Sequence, residues 1–319
     1  MKQQKPNQAM DIKIQNQEFK QAAGAVILSL FVVYCILWAF TKDSLFGSST
    51  YNSYVLQAQR WLQGHLDLGR DYDYLEIARY QGRYYVSFPP IPSVILLPFV
   101  AMFGLQTPDH FIAVLIGMLG AVYALRLVLS AGISKNAAVL WTLLLTVGSN
   151  FLHIGYRADV WYFAQCCAFT FTVMSLYFAL YQTAQLGWIS LFFLALAVGC
   201  RPLNAVYLPL VLYLLWQNYG KEVGIFRAVR QKWWWILPPL LVGGFLMLLN
   251  GLRFGNIFEF GHNYLPEFAE ESPNGQFWIG YIPQNLHRMF RLPALENHRL
   301  VFQIFDGTAL WLVSPIFLA

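Results

Sequence analysis

Long apolar runs separated by short polar segments dominate this chain. Most of the runs are close to the roughly 20 residues with which an α-helix crosses a hydrocarbon core of about 30 Å. The pattern predicts apolar helices over residues 22–41, 110–131, 135–151, 159–184, 186–199, 203–217 and 236–250. Another apolar helix begins at residue 308 and is too short to cross before the chain stops, so we expect a C-terminal truncation.

Two features of the apolar pattern predict departures from simple spanning helices. Residues 90–105 are slightly too few to span and include prolines at 90, 92 and 98, which favours an interfacial or re-entrant segment. Arg201 and Pro202 separate two short apolar runs. Such residues at membrane depth usually mark a point where a helix opens toward water or a ligand.

A shorter amphipathic helix is predicted between the first two apolar runs. Apolar residues recur at helical spacing from Tyr51 to Leu62, and Gly64 ends the pattern. Such a helix is expected to lie in the membrane interface with its aromatic side chains toward the lipid. The polar face is formed by Asn52, Ser53, Gln57, Gln59, Arg60 and Gln63.

Basic residues predict the orientation of the chain in the membrane. Residues 1–21 carry four lysines and two acids, and residues 218–232 carry four basic residues and one acid. The connection between two further apolar runs is flanked by Arg126 and Lys135 and contains no acidic residue. By the positive-inside rule, these three segments are expected in the cytoplasm.

The same rule puts two larger loops, residues 42–89 and 251–306, on the outer side. We therefore expect a cytoplasmic tail over residues 1–21 and one membrane domain over residues 22–319. The protein is predicted to be a multi-pass protein of the cell membrane, inner or plasma.

Composition supports a membrane protein and excludes several other classes. The chain is 57% hydrophobic and 12% charged, whereas an ordinary soluble domain is roughly 25% charged. The first apolar run lacks an A-x-A cleavage site, so we interpret it as an anchor. The sequence has no P-loop, dinucleotide fingerprint or G-x-S-x-G motif, and no basic pattern that indicates a nucleic-acid partner.

Metal and disulfide chemistry have little support in the sequence. The six histidines have no ligand spacing, so a divalent metal is possible but unsupported. The four cysteines lie in or beside apolar helices, where free cysteine usually acts as a small hydrophobic residue.

Charged residues gather most densely over residues 71–92, beside predicted membrane. Three carboxylates, those of Asp71, Asp73 and Glu76, precede a group of basic and aromatic side chains. That group contains Arg79, Arg83, Tyr84 and Tyr85. A general base needs a positioned carboxylate, and aromatic faces beside carboxylates suit a carbohydrate. The structural alternative is a solvated loop face with an aromatic belt.

A second acidic site, Asp159, begins a later predicted helix on the same outer side. The helix dipole stabilises a carboxylate there, and Arg157 can pair with it. Arg201 is expected on the same side, and planar, permanently charged arginine is well suited to hold a phosphate. The alternative is that Asp159 is a helix cap with a local ion pair.

Five segments together resemble the GT-C superfamily of integral-membrane glycosyltransferases, in the branch of protein O-mannosyltransferases and aminoarabinose transferases. They are TYNSYVLQAQRWLQGHLDL, LEIARYQGRYYVSFPPIPSVILLPF, GYRADVWYF, AVGCRP and LRFGNIFEFGHNY. The resemblance covers about residues 22–319, and GRYYVSFPP is its most specific part. It implies an all-α polytopic transmembrane bundle of GT-C type with interfacial helices in the first outer loop.

The resemblance also implies a function. A sugar would pass, with inversion, from a polyprenyl-phosphate donor to an acceptor glycan, lipid or protein at the outer face. Asp159 matches the family's second acid by position, and Arg201 matches a basic position in a helix break. The candidate catalytic residues are Asp159, Glu76, Asp73 and Asp71. The candidate substrate- or phosphate-binding residues are Arg157, Arg201, Arg83, Tyr84 and Tyr85.

The chain departs from the family at one position. The family's main catalytic aspartate stands four residues ahead of a tyrosine, and counting back from Tyr54 gives Thr50. The base would then come from Asp43 or one of the carboxylates over residues 71–76. The alternative function is a non-catalytic GT-C-like lipid-binding or transport protein. The scarcity of charges within the predicted spans counts against transport.

Overall fold

The structure of the protein is a computed structural model that describes residues 8–41, 44–180, 186–271, 273–275, 278–301, 308–313 and 315–318. The described chain is mostly helical and divides into two compact units, Met1–Leu265 and Pro266–Ala319. Each unit contains one two-stranded antiparallel hairpin. The predicted helical class is therefore confirmed, with two hairpins added.

The first unit contains twelve helices and one hairpin among its described residues. They are α1 Gln8–Thr41, α2 Ser53–Leu62, β1 Ile77–Tyr80, β2 Arg83–Val86, α3 Ile91–Phe103, α4 Asp109–Ser130, α5 Lys135–Thr146, α6 Phe151–Tyr156, α7 Val160–Leu180, α8 Gly187–Cys200, α9 Leu208–Leu215, α10 Lys221–Val223, α11 Ile225–Lys232 and α12 Leu237–Phe254. Tighter 3-10 turns cover Pro202–Tyr207, Trp233–Ile236 and His262–Tyr264.

The second unit is built from short elements. They are α13 Pro266–Glu271, α14 Tyr281–Met289, β3 Ala294–Glu296, β4 Arg299–Val301 and α15 Leu310–Val313. The Ala309 N–H donates to the Met289 carbonyl at 2.9 Å and connects the start of α15 to the end of α14. Within the described residues of this unit, the apolar helix expected from residue 308 is the single turn of α15 followed by a 3-10 turn over Pro315–Leu318.

Four segments of the described chain are long and apolar enough to cross a membrane. They are Gln17–Thr41, Asp109–Ser130, Val160–Leu180 and Ile225–Phe254. Three of them coincide with predicted apolar helices, and the fourth joins α11, the tryptophan-rich turn and α12. Apolar side chains cover the outside of these helices, for example Leu28 and Leu241. The expected membrane character is supported in this form.

Several helix ends meet at one end of the first unit. The chain leaves α1 and reaches Ser49, which donates to the first residue of α4, Asp109. The start of α7 bonds the same connecting segment, and the break after α8 bonds the first turn of α7. Arg253, near the end of α12, donates to the β2 carbonyl of Val86 at 3.1 Å. We call this region the Asp159 end.

Helix α3 runs across the Asp159 end. It has 13 residues, which corresponds to a length of about 20 Å. Ser87, four residues before α3, contacts His262, and the helix that follows α3 begins at Asp109, at the same end. Both termini of α3 therefore lie at the Asp159 end. Like the segment predicted over residues 90–105, α3 is too short to span a membrane.

The predicted span over residues 135–151 is shorter in the structure. α5 ends at Thr146, and α6 starts at Phe151 after a turn. The hydroxyl groups of Thr142 and Thr146 donate to the carbonyls four residues earlier, at 2.8 and 2.7 Å. Such back-bonding bends a helix and competes with its regular hydrogen bonds. α5 alone, with 12 residues, is too short to span.

Helix α2 matches the predicted amphipathic helix, but its polar face is partly buried. Gln57 is 1% exposed, and its Oε1 accepts a hydrogen bond from the Ser93 hydroxyl of α3 at 2.8 Å. Tyr54, Val55 and Ala58 on the other side belong to a core shared with α4 and α7. α2 is therefore enclosed by protein on both faces. The sequence had predicted instead that one face would contact lipid and the other water.

Candidate functional site

Asp159 is a buried carboxylate held from one side by arginine. Its side chain is 3% exposed, and its Oδ2 accepts from Arg157 Nε at 2.9 Å and Nη2 at 2.8 Å. Its other oxygen, Oδ1, is buried and has no hydrogen-bond partner among the described residues. A buried polar atom without a partner is uncommon, because it loses its hydration without replacement. Oδ1 is therefore the atom of this carboxylate that is available to a ligand.

Asp159 occupies the N-cap position of α7 without capping it by its side chain. Its backbone carbonyl accepts the N–H groups of Tyr162 and Phe163, each at 2.9 Å. In a capping aspartate, a side-chain oxygen would accept one of the first free N–H groups of the helix. Here Oδ2 faces Arg157 and Oδ1 is unpartnered. The side chain of Asp159 therefore does not cap α7. Its expected local ion pair with Arg157 is present.

Burial and neighbouring charges shift the pKa values of the two basic neighbours of Asp159 in different directions. Burial lowers the pKa of His153, and the adjacent Arg157 charge lowers it further. Although partial burial opposes it, the Asp159 carboxylate raises the pKa of the Arg157 guanidinium. The His153 imidazole is therefore neutral at neutral pH beside the Arg157 guanidinium. The His153 ring packs edge-on against Tyr162, with centroids 4.7 Å apart.

A short extended segment, residues 49–51, runs alongside the start of α7. The Ser49 hydroxyl lies 3.3 Å from the Ala158 carbonyl, and the Val160 N–H donates to the Tyr51 carbonyl at 3.0 Å. The contacted residues are two apart in each segment, 49 and 51 in one and 158 and 160 in the other. The middle residue of one segment is therefore opposite the middle residue of the other.

Those middle residues are Thr50 and Asp159. Thr50 is exposed, whereas Asp159 is buried. Thr50 is also the position at which the resemblance places a catalytic aspartate. The family position without a carboxylate and the predicted second acid are thus neighbours in this fold.

Asp109 fixes the segment over residues 49–51 from the other side. Its Oδ1 accepts the Ser49 N–H at 2.8 Å, and its Oδ2 accepts the Ser49 hydroxyl at 2.7 Å. Asp109 is 1% exposed. Hydrogen bonds to a buried carboxylate are charge-assisted and stronger than neutral ones. The sequence predicts a helix over residues 110–131 and gives no role to the residue just before it, because Ser49 is 60 residues away in the chain.

Arg201 reaches the first turn of α7 from the break after α8. Residue 201 has extended backbone, with φ −145° and ψ 110°, and Pro202 cannot continue the helical hydrogen bonds. The Arg201 Nη2 donates to the Trp161 carbonyl at 2.7 Å. Its Nε is buried and has no partner in the described part of the chain. The predicted break therefore brings the Arg201 guanidinium, which has an unused donor, into contact with Trp161. Trp161 is two residues after Asp159 in the chain.

Two buried hydroxyl groups lie in this part of the fold without hydrogen-bond partners among the described residues. They belong to Tyr54 of α2 and Ser87 at the end of β2. Burial raises the pKa of the Tyr54 phenol, and the nearby Arg201 charge partly opposes the rise. The Tyr54 ring packs near Phe88, with centroids 6.4 Å apart. The phenol therefore stays protonated and can donate.

His262 covers the same region from the loop after α12. Its Nδ1 lies 3.1 Å from the Ser87 carbonyl, which can only accept, so this nitrogen carries the proton. Burial lowers the pKa of His262, and the nearby Arg201 charge lowers it further. The sequence offered no metal-type spacing for this histidine, and its position became evident only from the fold.

The predicted carboxylates of the first loop are less buried. Asp71 Oδ2 pairs with Arg79 Nη2 at 2.8 Å, and its Oδ1 accepts the Tyr72 N–H. Asp73 is exposed, and Glu76 is half-buried and has interactions of its own. None of the contacts described for Asp71 joins it to Asp159. Asp43, the remaining candidate base, lies outside the described residues.

Arg83, Tyr84 and Tyr85 form β2 and have three different environments. Arg83 is exposed, and Tyr84 is half-buried against the core of α2 and α3. Tyr85 is 4% exposed and packs against Phe254, with ring centroids 5.2 Å apart. Strand alternation turns neighbouring residues to opposite faces, so the three side chains do not form one surface. Tyr85 is therefore a core residue in this structure, and its role in substrate binding stays a prediction.

A different pair of rings lies next to Asp159. Tyr51 and Trp161 have centroids 5.0 Å apart, and Tyr51 is 37% exposed. The sequence indicated Tyr51 only as the first apolar residue of the predicted amphipathic helix and did not single out Trp161. The described residues contain no group of three or more histidine, cysteine, aspartate or glutamate side chains that could hold a metal ion.

The site therefore consists of a carboxylate with one unpartnered oxygen, an arginine with an unused donor, two buried hydroxyls, a neutral histidine and an aromatic pair. In that order they are Asp159, Arg201, Tyr54 and Ser87, His262, and Tyr51 with Trp161. Comparison of the chain with protein-family models, characterised proteins and solved structures gives no match to any of them.

Proposed function

We propose that the protein is a membrane glycosyltransferase of GT-C type that uses a polyprenyl-phosphate-linked sugar as donor. One observation carries the proposal. At the start of α7, the buried carboxylate of Asp159 has one unpartnered oxygen, and Arg201, which donates to the carbonyl of Trp161 in the same helix turn, has an unpartnered Nε donor. A base and a phosphate-binding group beside one reacting centre are what such a transfer needs.

In the proposed reaction, Asp159 Oδ1 accepts the proton of an acceptor hydroxyl. The hydroxyl oxygen forms a bond to the anomeric carbon of the sugar as the bond from that carbon to the phosphate oxygen breaks. The lipid phosphate leaves with the electron pair of the broken bond. The configuration at the anomeric carbon is inverted, because the displacement occurs once.

Arg201 and Tyr54 are proposed to bind the departing phosphate. A guanidinium binds phosphate oxygens through charge and parallel N–H donors. The protonated Tyr54 phenol supplies a further donor in the same buried region. Donors that are already oriented stabilise the charge that develops on the leaving group at little reorganisation cost.

Arg157 is proposed as a positioning residue for the base. It binds Oδ2 of Asp159 through two nitrogens, which fixes the plane of the carboxylate and leaves Oδ1 available. The Tyr51 and Trp161 rings are proposed to pack against the sugar, since aromatic faces suit the apolar faces of a pyranose. We propose that the donor and acceptor reach this site at the outer face, with the N-terminus in the cytoplasm.

The alternative function is a lipid-binding protein without catalysis on the same scaffold. It is favoured by one observation, the hydroxyl of Thr50 in place of the carboxylate implied by the resemblance. The two functions differ in turnover. A transferase consumes donor and releases lipid phosphate, whereas a binding protein retains the donor unchanged.

The test uses the full chain in lipid nanodiscs with polyprenyl-phosphate donors carrying a radiolabelled hexose or pentose, and an acceptor mixture from envelope glycans and lipids. Asp159→Asn is expected to lower donor consumption by about 10²–10⁴-fold, the usual contribution of a general base. Arg201→Gln is expected to lower it as well. Glu296→Gln, at an exposed carboxylate outside the set of candidate site residues, is the control.

Three results would decide against parts of the proposal. Unchanged transfer in both Asp159→Asn and Glu76→Gln would show that the site is assigned wrongly. A loss in Glu76→Gln alone would move the base to the first loop. Retention of donor without consumption by the unmodified chain, over every donor and acceptor tried, would favour the binding protein.

A further inference from the structure

A polar groove lies at the end of α4 that is opposite the Asp159 end. Its volume is about 640 Å³, and it is bordered by α1, the turn between α4 and α5, and Tyr177 of α7. Two basic residues line it, Arg126 near the end of α4 and Lys135 at the start of α5. We call it the basic groove.

Aromatic rings, not carboxylates, surround the Arg126 guanidinium. Its central carbon lies 4.4 Å from the centroid of the Phe19 ring and 5.7 Å from those of Tyr123 and Tyr177. In the described part of the chain, the guanidinium forms no ion pair and donates no hydrogen bond. Cation–π contacts hold the charge in place and leave the N–H donors in the guanidinium plane available.

The other polar groups of the basic groove also favour an anion. Lys135 lies at the first position of α5, where the helix dipole and free backbone N–H groups attract negative charge. Its Nζ donates to Gln21 Oε1 at 3.2 Å. The one carboxylate that lines the groove among the described residues, Glu18, forms no ion pair with either cation there. Two cations therefore face a single exposed acid.

An apolar groove adjoins the basic groove. It has a volume of about 450 Å³ and lies among α4, α5, α7 and α9. Ile133 lines both grooves, and Leu176 of the apolar groove is the neighbour of Tyr177 in the basic groove. On the α9 side, the apolar groove is lined by Leu210 and Leu214. A charged compartment and an apolar compartment thus share one side chain.

We propose that the two grooves together bind one anionic phospholipid. The phosphate of the headgroup lies against Arg126 and Lys135, and one acyl chain lies in the apolar groove beyond Ile133. Basic pockets between membrane helices are known to accept anionic headgroups. A free phosphate would use only the basic groove, and a neutral lipid would gain nothing from the two cations. This site is separate from the Asp159 end and does not depend on the proposed transfer reaction.

The first experiment measures lipid retention by native mass spectrometry, with the full chain in a mild detergent. The probes are phosphatidylglycerol and phosphatidylcholine with identical acyl chains, each added in a titration. Phosphatidylglycerol is expected to bind at least tenfold more tightly. Arg126→Gln and Lys135→Gln are each expected to weaken that binding about fivefold, as expected for one basic residue near an anionic lipid, and to leave phosphatidylcholine unaffected.

Arg227→Gln is the matched control for charge. Arg227 is an exposed arginine of α11, outside the groove lining. Equal losses in Arg227→Gln and Arg126→Gln would show general attraction to a basic surface and would overturn the site. Because Arg126→Gln removes the ring contacts and can unfold the protein, Lys135→Gln is the variant that keeps the test decisive.

The apolar groove has its own test. Leu210→Trp fills it, and Leu212→Trp alters a residue of the same helix outside the lining; the two leucines are 44% and 49% exposed. Leu210→Trp is expected to reduce phosphatidylglycerol binding several-fold more than Leu212→Trp. Equal effects would overturn the acyl-chain assignment. Inorganic phosphate that raises the Tm as much as phosphatidylglycerol would show a free-phosphate site and would overturn the lipid.

Discussion

Thr50 lies opposite Asp159, because the residues on either side of each are joined across the gap. Ser49 contacts Ala158 at 3.3 Å, and Tyr51 accepts from Val160 at 3.0 Å. A carboxylate introduced at position 50 would therefore enter the neighbourhood of the proposed base. Thr50, where the resemblance implies an aspartate, is thus the neighbour of Asp159, the proposed base.

Thr50→Asp is expected to restore part of the sugar transfer lost in Asp159→Asn. The contacts of Ser49 and Tyr51 hold the backbone of residue 50 beside Asp159, so the new carboxylate can accept the acceptor proton from the adjacent position. Transfer by the double variant is expected to exceed that of Asp159→Asn by at least tenfold in the donor-consumption assay. Ser48→Asp, at an exposed neighbour, is the control for added charge. An equal gain from Ser48→Asp would contradict the pairing argument.

Ser49→Ala is expected to destabilise the protein by about 1–3 kcal/mol. The substitution leaves Oδ2 of the buried Asp109 without its 2.7 Å hydrogen bond, and an unpartnered buried acceptor has a cost of that order. The measurement is reversible unfolding in detergent micelles. Ser48→Ala, an exposed serine next to it, is expected to change stability by less than about 0.5 kcal/mol. Equal effects of the two variants would show that the Ser49 bond contributes little.

Much of the helical organisation follows from the sequence, because long apolar runs and prolines act locally. Helix α7 was predicted over residues 159–184 and is Val160–Leu180. The break at Arg201 and Pro202 was also predicted, since proline removes a backbone donor wherever it stands. The span over residues 135–151 was wrong in length, because α5 ends at Thr146 and α6 begins at Phe151 after a turn.

The candidate site was less predictable, because its contacts join distant parts of the chain. Ser49 and Asp109 are 60 residues apart, and His262 and Ser87 are 175 apart. Tyr85 was assigned to substrate binding from its place in an aromatic group, whereas in the fold it packs against Phe254, which is 169 residues away in the chain. Local patterns indicate which residue types are present, whereas the fold decides which of their atoms lack partners.

His262 is expected to make stability fall as pH decreases. Burial lowers its pKa in the folded protein, so below about pH 6.5 the unfolded chain binds a proton that the folded chain resists. Stability is therefore constant above that pH and declines as pH falls toward the folded pKa. His262→Asn is expected to flatten this decline between pH 7.5 and 5.5. His153, whose pKa is also lowered, contributes in the same direction, so His153→Asn is the comparison.

Gly120→Ala is expected to destabilise the contact between α4 and α7 by about 1–3 kcal/mol, the usual cost of overpacking. A β-carbon at position 120 would meet the Thr170 hydroxyl, which donates to the Ile116 carbonyl at 2.9 Å, and the Phe169 ring at 3.2 Å. Gly24→Ala in α1 is the control, because nothing lies within 4 Å of its β-carbon. Alanine is the better helix former, so Gly24→Ala is expected to be neutral or stabilising. Equal Tm values for the two variants would contradict the close approach.

The one-sided environment of Asp159 has a consequence for regiochemistry. Arg157 occupies Oδ2, so under the proposed function proton transfer takes place only along the Oδ1 edge of the carboxylate. An acceptor with several hydroxyl groups then has one orientation in which a hydroxyl meets both that edge and the anomeric carbon. We therefore expect the product to be a single positional isomer, and Arg157→Gln, which frees the carboxylate to rotate, to yield a mixture of linkages.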